Sequence, residues 1–248
     1  MYDPLKNSWS FGKNFSPVRS QASILLLPDG KVLVMGGFVE EQNNPTPINQ
    51  WGFCSLTDLY DAENNSWRRL SDMNFAREYH AVPILIPDGR VVMMGGEGEP
   101  GTEPDFNVIE IFKPPYLFRG VRPEIRKLKV KNKKGKNVRY KKLKQAETTE
   151  SGSIKNLKKV TIKRGGKLKF KVKYTKSITD VILMGTSSTT HFMDSGIARQ
   201  NSLTFKKRGN KYIVKIPTDP IQLPLGFYIL FVVVDDIPSE GYIVRIAE

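Results

Sequence analysis

A repeat of 58 residues runs through the first half of the chain, and it restricts the fold more than any other feature. Tyr2-Asp3, Asn7-Ser8-Trp9 and Arg19 return as Tyr60-Asp61, Asn65-Ser66-Trp67 and Arg77, 58 residues later in each case. Beyond the arginine the offset is 59, relating Pro28-Asp29-Gly30 to Pro87-Asp88-Gly89 and Gly36-Gly37 to Gly95-Gly96. One residue is therefore inserted or deleted between the arginine and the turn. In each copy an apolar, β-rich run meets Pro-Asp-Gly, a tight hairpin turn whose glycine supplies a positive φ. A second strand, 31–35 or 90–94, ends in Gly-Gly, where the backbone must turn or pack closely. A third strand is predicted at 56–60 and again at 108–112, and the tryptophan closes a fourth segment.

Four short strands with Gly-Gly and a late Trp resemble the blade of a kelch propeller, whose repeat runs to about 50 residues. The resemblance implies an all-β chain whose residues 1–118 form a partial kelch-type β-propeller of about two blades. Propellers close with roughly 4–8 blades, and an open pair would expose apolar edges. The expectation is a C-terminal piece of a longer protein, or blades supplied by another chain. Residues 40–52 (EEQNNPTPINQWG) read as a long polar loop, with Trp51 and Phe53 anchoring it.

Residues 119–248 read as a second domain. Short strands are predicted at 160–162, 167–174, 179–184, 202–206, 211–216, 226–234 and 241–246. Leu168, Phe170 and Val172 alternate with Lys167, Lys169, Lys171 and Lys173, a strand with an apolar inner face and a basic outer one. Six or seven such strands suggest an immunoglobulin-like β-sandwich. Residues 119–176 hold 23 Lys+Arg against 3 Asp+Glu, a net of +20, so the rest of a chain of net charge +14 carries −6. Single-sign blocks mark polyanion binding. Residues 127–159 read as a Lys-rich, solvated insertion, in which Tyr140 is the one aromatic interleaved with the basic tract 130–144, so no specific nucleic-acid signal is present. No run reaches the roughly 18 apolar residues of a membrane span. Residues 1–4 carry neither a basic nor an apolar leader region, so no signal peptide is read and the compartment stays open.

Chemistry centres on the two histidines, His80 and His191. Tyr79 directly precedes His80, and the repeat does not require the pair: counted from the arginine, the earlier copy has Gln21-Ala22 there. Imidazole with phenol oxygen suits Cu(II), which favours tetragonal N,O coordination. Successive strand residues point to opposite faces, so both can reach one metal only at the strand's start or in the loop before it. His191 lies in a Ser/Thr/Gly-rich segment, 185–196, where a hairpin tip is expected. Cys54 is the single cysteine, which excludes an internal disulfide, and it reads as a free, partly buried thiol.

Residues 2–118 resemble the last propeller blades of galactose oxidase and glyoxal oxidase, the copper radical oxidases. Ala76-Arg77-Glu78-Tyr79-His80, Leu85-Ile86-Pro87-Asp88-Gly89-Arg90, Gly95-Gly96 and Glu110-Ile111-Phe112-Lys113-Pro114-Pro115-Tyr116-Leu117 carry the likeness. Thr190-His191, followed by Asp194, Gly196 and Arg199, is similar to the family's hairpin that reaches into the propeller channel. The resemblance implies one copper ion with His80 and His191 as equatorial ligands, and Tyr79 as axial ligand and catalytic acceptor of the substrate's hydroxyl proton. It further implies oxidation of a primary alcohol, aldehyde or carbohydrate with O2 giving H2O2, and an extracellular home. The family's Cys-Tyr radical cofactor comes from earlier blades. Cys54 and Tyr60 do not match its positions, so this chain is expected to be inactive alone. Ile197-Ala198-Arg199 also departs from the family's usual Gln-Arg pair. The alternative is a non-catalytic, secreted module that binds an acidic polysaccharide or surface through the Lys-rich sandwich face.

Overall fold

The computed structural model describes every residue except 1, 4, 16, 40–51, 97–107, 133–140, 143–146, 149–153, 156–159, 188, 191, 192 and 195–199. The expected loop 40–52, most of the Lys-rich insertion and His191 therefore lie outside the described residues. Those described form an all-β chain with a short 3-10 turn at Pro115–Phe118. It divides into two units: Met1–Ile84, Val92–Phe112 and Thr189–Ser195 in the first, and Leu85–Val91, Lys113–Ser188 and Gly196–Glu248 in the second.

In the first unit, β1 (Ser23–Leu26), β2 (Val32–Met35), β3 (Thr57–Asp61) and β4 (Ser66–Arg69) form a four-stranded antiparallel sheet in chain order. The second copy starts again with β5 (Ala81–Leu85), β6 (Val91–Gly95) and β7 (Glu110–Phe112). Both Pro-Asp-Gly turns close alike: Gly30 N–H donates to Leu27 O at 3.0 Å and Gly89 N–H to Ile86 O at 2.8 Å. Their glycines sit at φ +79° and +88°, the left-handed position this hairpin loop requires. Trp67 packs on Tyr60 and Phe15, ring centroids 4.7 and 4.5 Å away, and its indole N–H donates to Lys13 O at 2.9 Å.

The second unit is a two-sheet sandwich. Its strands are β8 (Glu124–Lys131), β9 (Thr161–Lys163), β10 (Lys167–Lys173), β11 (Asp180–Gly185), β12 (Gln200–Ser202), β13 (Phe205–Arg208), β14 (Lys211–Lys215), β15 (Gly226–Val234) and β16 (Tyr242–Ala247). One sheet runs Lys141–Lys142, β8, β10, β14, β13; the other runs β9, β16, β15, β11, β12, with Ile237–Pro238 paired to β15. A single buried cluster joins them, with Leu168, Phe170 and Val214 from the first sheet and Val181, Leu183, Leu230 and Val244 from the second. The turn Leu85–Val91 belongs to this unit. The Arg122 guanidinium donates to the carbonyls of Asp88, Pro238 and Ser239, and the Tyr116 hydroxyl donates to Gly89 O.

Two expectations are corrected here. The predicted strand 202–206 is two strands in different sheets, β12 against β11 and β13 against β14, because buried Leu203 carries the chain from one sheet to the other across the core. Residues 124–131, partly assigned to the irregular insertion, form β8 in the middle of a sheet. A register shift between Arg126 and Lys129, with Lys127 at φ +55°, moves the apolar positions from Ile125 to Leu128 and Val130 and breaks the two-residue alternation.

Candidate metal centre

The approach to Tyr79 and His80 begins at Arg77, whose side chain is 2% exposed. Its Nη1 donates to Gly95 O at 2.5 Å, Nη2 to Val108 O at 2.9 Å, and Nε to Glu110 Oε2 at 3.1 Å. Glu110 also accepts from the Asn74 backbone N–H at 2.7 Å. The backbone of Arg77 is tied as well, since Gly37 N–H donates to Arg77 O at 2.8 Å. A buried cation needs such complete pairing, because leaving any member alone costs desolvation energy. Both bonding neighbours of this segment are thus fixed before the ligand candidates are reached.

The next residues form a β-turn. Ala81 N–H donates to Glu78 O at 3.0 Å, and His80 stands at the third position with φ +65°. Type II turns require a positive φ there and usually place Gly or Asn. The His80 carbonyl is held by Gly96 N–H at 3.1 Å. A Cβ on Gly95 would come within 2.9 Å of that carbonyl oxygen, so only glycine fits beneath it. The turn brings the Tyr79 and His80 rings together, with centroids 4.0 Å apart and planes tilted by 38°. They sit immediately before β5, with Tyr79 half-buried and His80 exposed.

Gln21, at φ +55°, is the matching left-handed residue in the first copy. It lies 59 residues before His80, so Ser20-Gln21 rather than Gln21-Ala22 corresponds to Tyr79-His80. Counting from the arginine misplaces the match by one, because the extra residue of the second copy falls between Arg77 and the turn.

His191 lies outside the described residues. The strands on either side of it, Thr189–Thr190 and Met193–Asp194, pair antiparallel, and the latter lies beside β1. This hairpin groups with the first unit, the unit that also holds Tyr79 and His80. Among the described residues no cluster of three or more His, Cys, Asp or Glu occurs. Cys54 is free and 0% exposed, packed with Val39 and Leu56, so the expectation of a partly buried thiol is corrected to a fully buried one. Tyr60 packs against Trp67 with the rings tilted by 38°, and its hydroxyl donates to Asn65 Oδ1 at 2.9 Å. An imidazole and a phenol oxygen side by side on one turn fit copper as a partial N,O donor set. Sequence reasoning noted Arg77 only as a repeated residue; its reappearance 58 residues after Arg19 was the signal for its anchoring role.

Residues 151–246 match the family described as galactose oxidase-like, early set domain. The second unit thus carries an early set sandwich of the galactose oxidase type. The chain is homologous to galactose oxidase and to a glyoxal oxidase. It is 25% identical over 228 residues to the galactose oxidase of Gibberella zeae, covering 90% of this chain and 29% of that protein. It is 25% identical over 242 residues to aldehyde oxidase GLOX1 of Arabidopsis thaliana, covering 92% and 36%. The structure of a novel fungal alcohol oxidase of the AA5 family, in complex with copper, shares the fold with TM-score 0.70 at 20% identity, over 96% of this chain and 44% of that one. The chain therefore spans about a third of the length of these two curated relatives.

Proposed function

We propose that this chain is the C-terminal part of a copper radical oxidase-like protein that oxidises primary alcohols or aldehydes with O2 and releases H2O2. The observation that carries the reading is the left-handed turn at His80, which sets a phenol and an imidazole side by side in a chain homologous to galactose oxidase and an aldehyde oxidase. His80 and His191 are the imidazole ligands, and Tyr79 supplies the oxygen donor. Copper, when bound, supplies one-electron chemistry that side chains of this kind lack. Tyr79 Oη takes the hydroxyl proton of the substrate, a small alcohol, a carbohydrate or the hydrate of an aldehyde. Arg77 and Gly95 hold the turn so that the two rings keep one direction.

The Cys-Tyr radical pair belongs to blades outside this chain. Cys54 is fully buried, its Sγ accepting from Arg19 Nη1 at 3.6 Å, and Tyr60 is engaged with Trp67, which supports that assignment. Exposed Trp9 and Phe11, at 81% and 100%, suit further blades packing there, from the same gene or another chain. The whole protein is extracellular on this reading. Copper titration of the full chain, followed by electron paramagnetic resonance, is expected to show one nitrogen-ligated Cu(II). His80→Ala and His191→Ala should each weaken binding by at least about tenfold, while a peroxidase-coupled assay shows no H2O2. Unchanged affinity in both histidine variants would remove the reading.

A further inference from the structure

The outward face of the five-stranded sheet has no part in the oxidase reading. Inward, its strands are apolar, with Leu168 and Val214 at 0% exposure and Phe170 at 1%. Outward, the alternate positions carry lysine. Register sets Lys131, Lys167 and Lys215 directly opposite one another on β8, β10 and β14. Two residues along, Lys129 faces Lys169, and Lys206 continues that row on β13 beyond Ile213. A third row sets Arg126 opposite Lys171. Neighbouring strands lie about 4.8 Å apart, so cations recur at that spacing across the sheet.

Like charges directly opposite one another destabilise a sheet. Among the described outward positions of these rows and their strand ends, Glu124 is the one carboxylate. Arg126 holds it in a fork, Nε to Oε1 at 2.9 Å and Nη2 to Oε2 at 2.8 Å. At the β13 edge a concavity of about 400 Å³ opens, lined by Lys167, Lys206, Arg208 and Lys215. The face is a lattice of positive charge with a recess at one side.

We propose that this face binds an acidic polysaccharide, sulfated or uronate-bearing, laid across the strands. A chain of evenly repeated anions matches evenly repeated cations, and counterion release on contact makes such binding salt-sensitive. The aromatics of these strands do not offer a base-stacking platform: Phe170 and Tyr212 are 1% and 5% exposed and belong to the core, and Phe205, half-buried at the recess, packs against the same cluster and is a single ring. A flat sheet face also has no helix or ribbon to enter a nucleic-acid groove. Half-buried Ile213 is the apolar residue within the rows, which gives a bilayer nothing to receive.

The test is equilibrium binding of the full chain to heparin and to polygalacturonate at several salt concentrations. The triple variant Lys167→Glu, Lys169→Glu, Lys215→Glu is expected to bind at least about tenfold more weakly, with a flatter salt dependence. The corresponding Lys→Gln triple should lose less, which keeps the result readable if charge reversal disturbs folding. A control of equal charge change on exposed residues of the first unit, Lys6→Glu, Lys13→Glu, Arg68→Glu, should leave affinity within about twofold. Failure of the unaltered chain to bind either polysaccharide would overturn the proposal. So would an equal loss in the control, or tighter binding to duplex DNA, single-stranded oligonucleotide or anionic phospholipid vesicles than to both polysaccharides.

Discussion

The two copies of the repeat share a backbone and differ in what it displays. Arg19 donates to Gly36 O at 3.0 Å, Leu56 O at 2.8 Å and Asp58 Oδ2 at 2.5 Å. Arg77 makes the corresponding bonds to Gly95 O, Val108 O and Glu110. Gly36-Gly37 and Gly95-Gly96 have nearly the same φ, +64° and +109° against +64° and +102°. Each arginine is followed by a left-handed residue, yet the first copy puts Ser-Gln at the turn and the second puts Tyr-His. Both copies keep the left-handed residue and differ in the side chain it carries, which leaves that side chain available for chemistry. The clamps differ most at the carboxylate, which Arg19 reaches through Nη2 and Arg77 through Nε. Asp58 keeps a second cation, Arg69 Nε at 2.8 Å, whereas Glu110 has Asn74 in that place.

That difference predicts the largest effect. Arg77→Leu strands a carboxylate that is 10% exposed, and should cost about 3–5 kcal/mol in urea unfolding. Arg19→Leu should cost less, about 2 kcal/mol, because Arg69 still neutralises Asp58. The reverse order would break the comparison. Next come the glycines. A Cβ on Gly36 would stand 2.2 Å from Arg77 O, against 2.9 Å between a Gly95 Cβ and His80 O. Gly36→Ala should therefore lower the unfolding midpoint more, with losses of about 3 and 2 kcal/mol. Equal losses would mean that the backbone around Gly36 gives way and the difference in clearance has no energetic weight.

A smaller effect separates fold from function. Glycine relieves the left-handed strain of about 1 kcal/mol but adds freedom to the unfolded chain. Gln21→Gly and His80→Gly should thus both leave the melting temperature level or slightly raised. Only His80→Gly should abolish copper binding. A melting loss confined to His80→Gly would show that the imidazole is structural.

The smallest effect concerns the turn before β4. The hydrogen bond from Asn64 Nδ2, outweighing desolvation, holds Asp61 below the usual carboxylate range, where the first copy has Lys6 beside Asp3. A depressed folded pKa gives stability that is present above the unfolded value and lost as pH falls through the folded one. Asn64→Ala should lower stability at neutral pH by under about 1 kcal/mol, and the difference should close on acidification. A gap that persisted in acid would assign the effect to packing.

Much of this was legible in the residues. The hairpin turns follow from Pro-Asp-Gly, because glycine alone enters the required left-handed region freely, and β10 follows from Leu168, Phe170 and Val172 alternating with lysines. β8 was hidden by its bulge, which slips the apolar pattern by one residue at Lys127. The split of 202–206 was hidden because a strand's pattern reports which face is buried and not which sheet it joins. Tyr79 and His80 could be named as donors from their identities and from the resemblance.

By itself, then, the sequence determined an all-β chain, its repeat, and the residue types available to hold a metal. The tertiary structure decided direction. Histidine has no intrinsic preference that announces φ +65°, so the orientation of its ring comes from what encloses the turn: the Arg77 clamp behind it, the Gly96 N–H on its carbonyl, and the space that Gly95 leaves empty. The same holds for the basic face. Lysine at every second position of one strand is written in the chain, but three lysines abreast exist only once strand register has been set by long-range pairing.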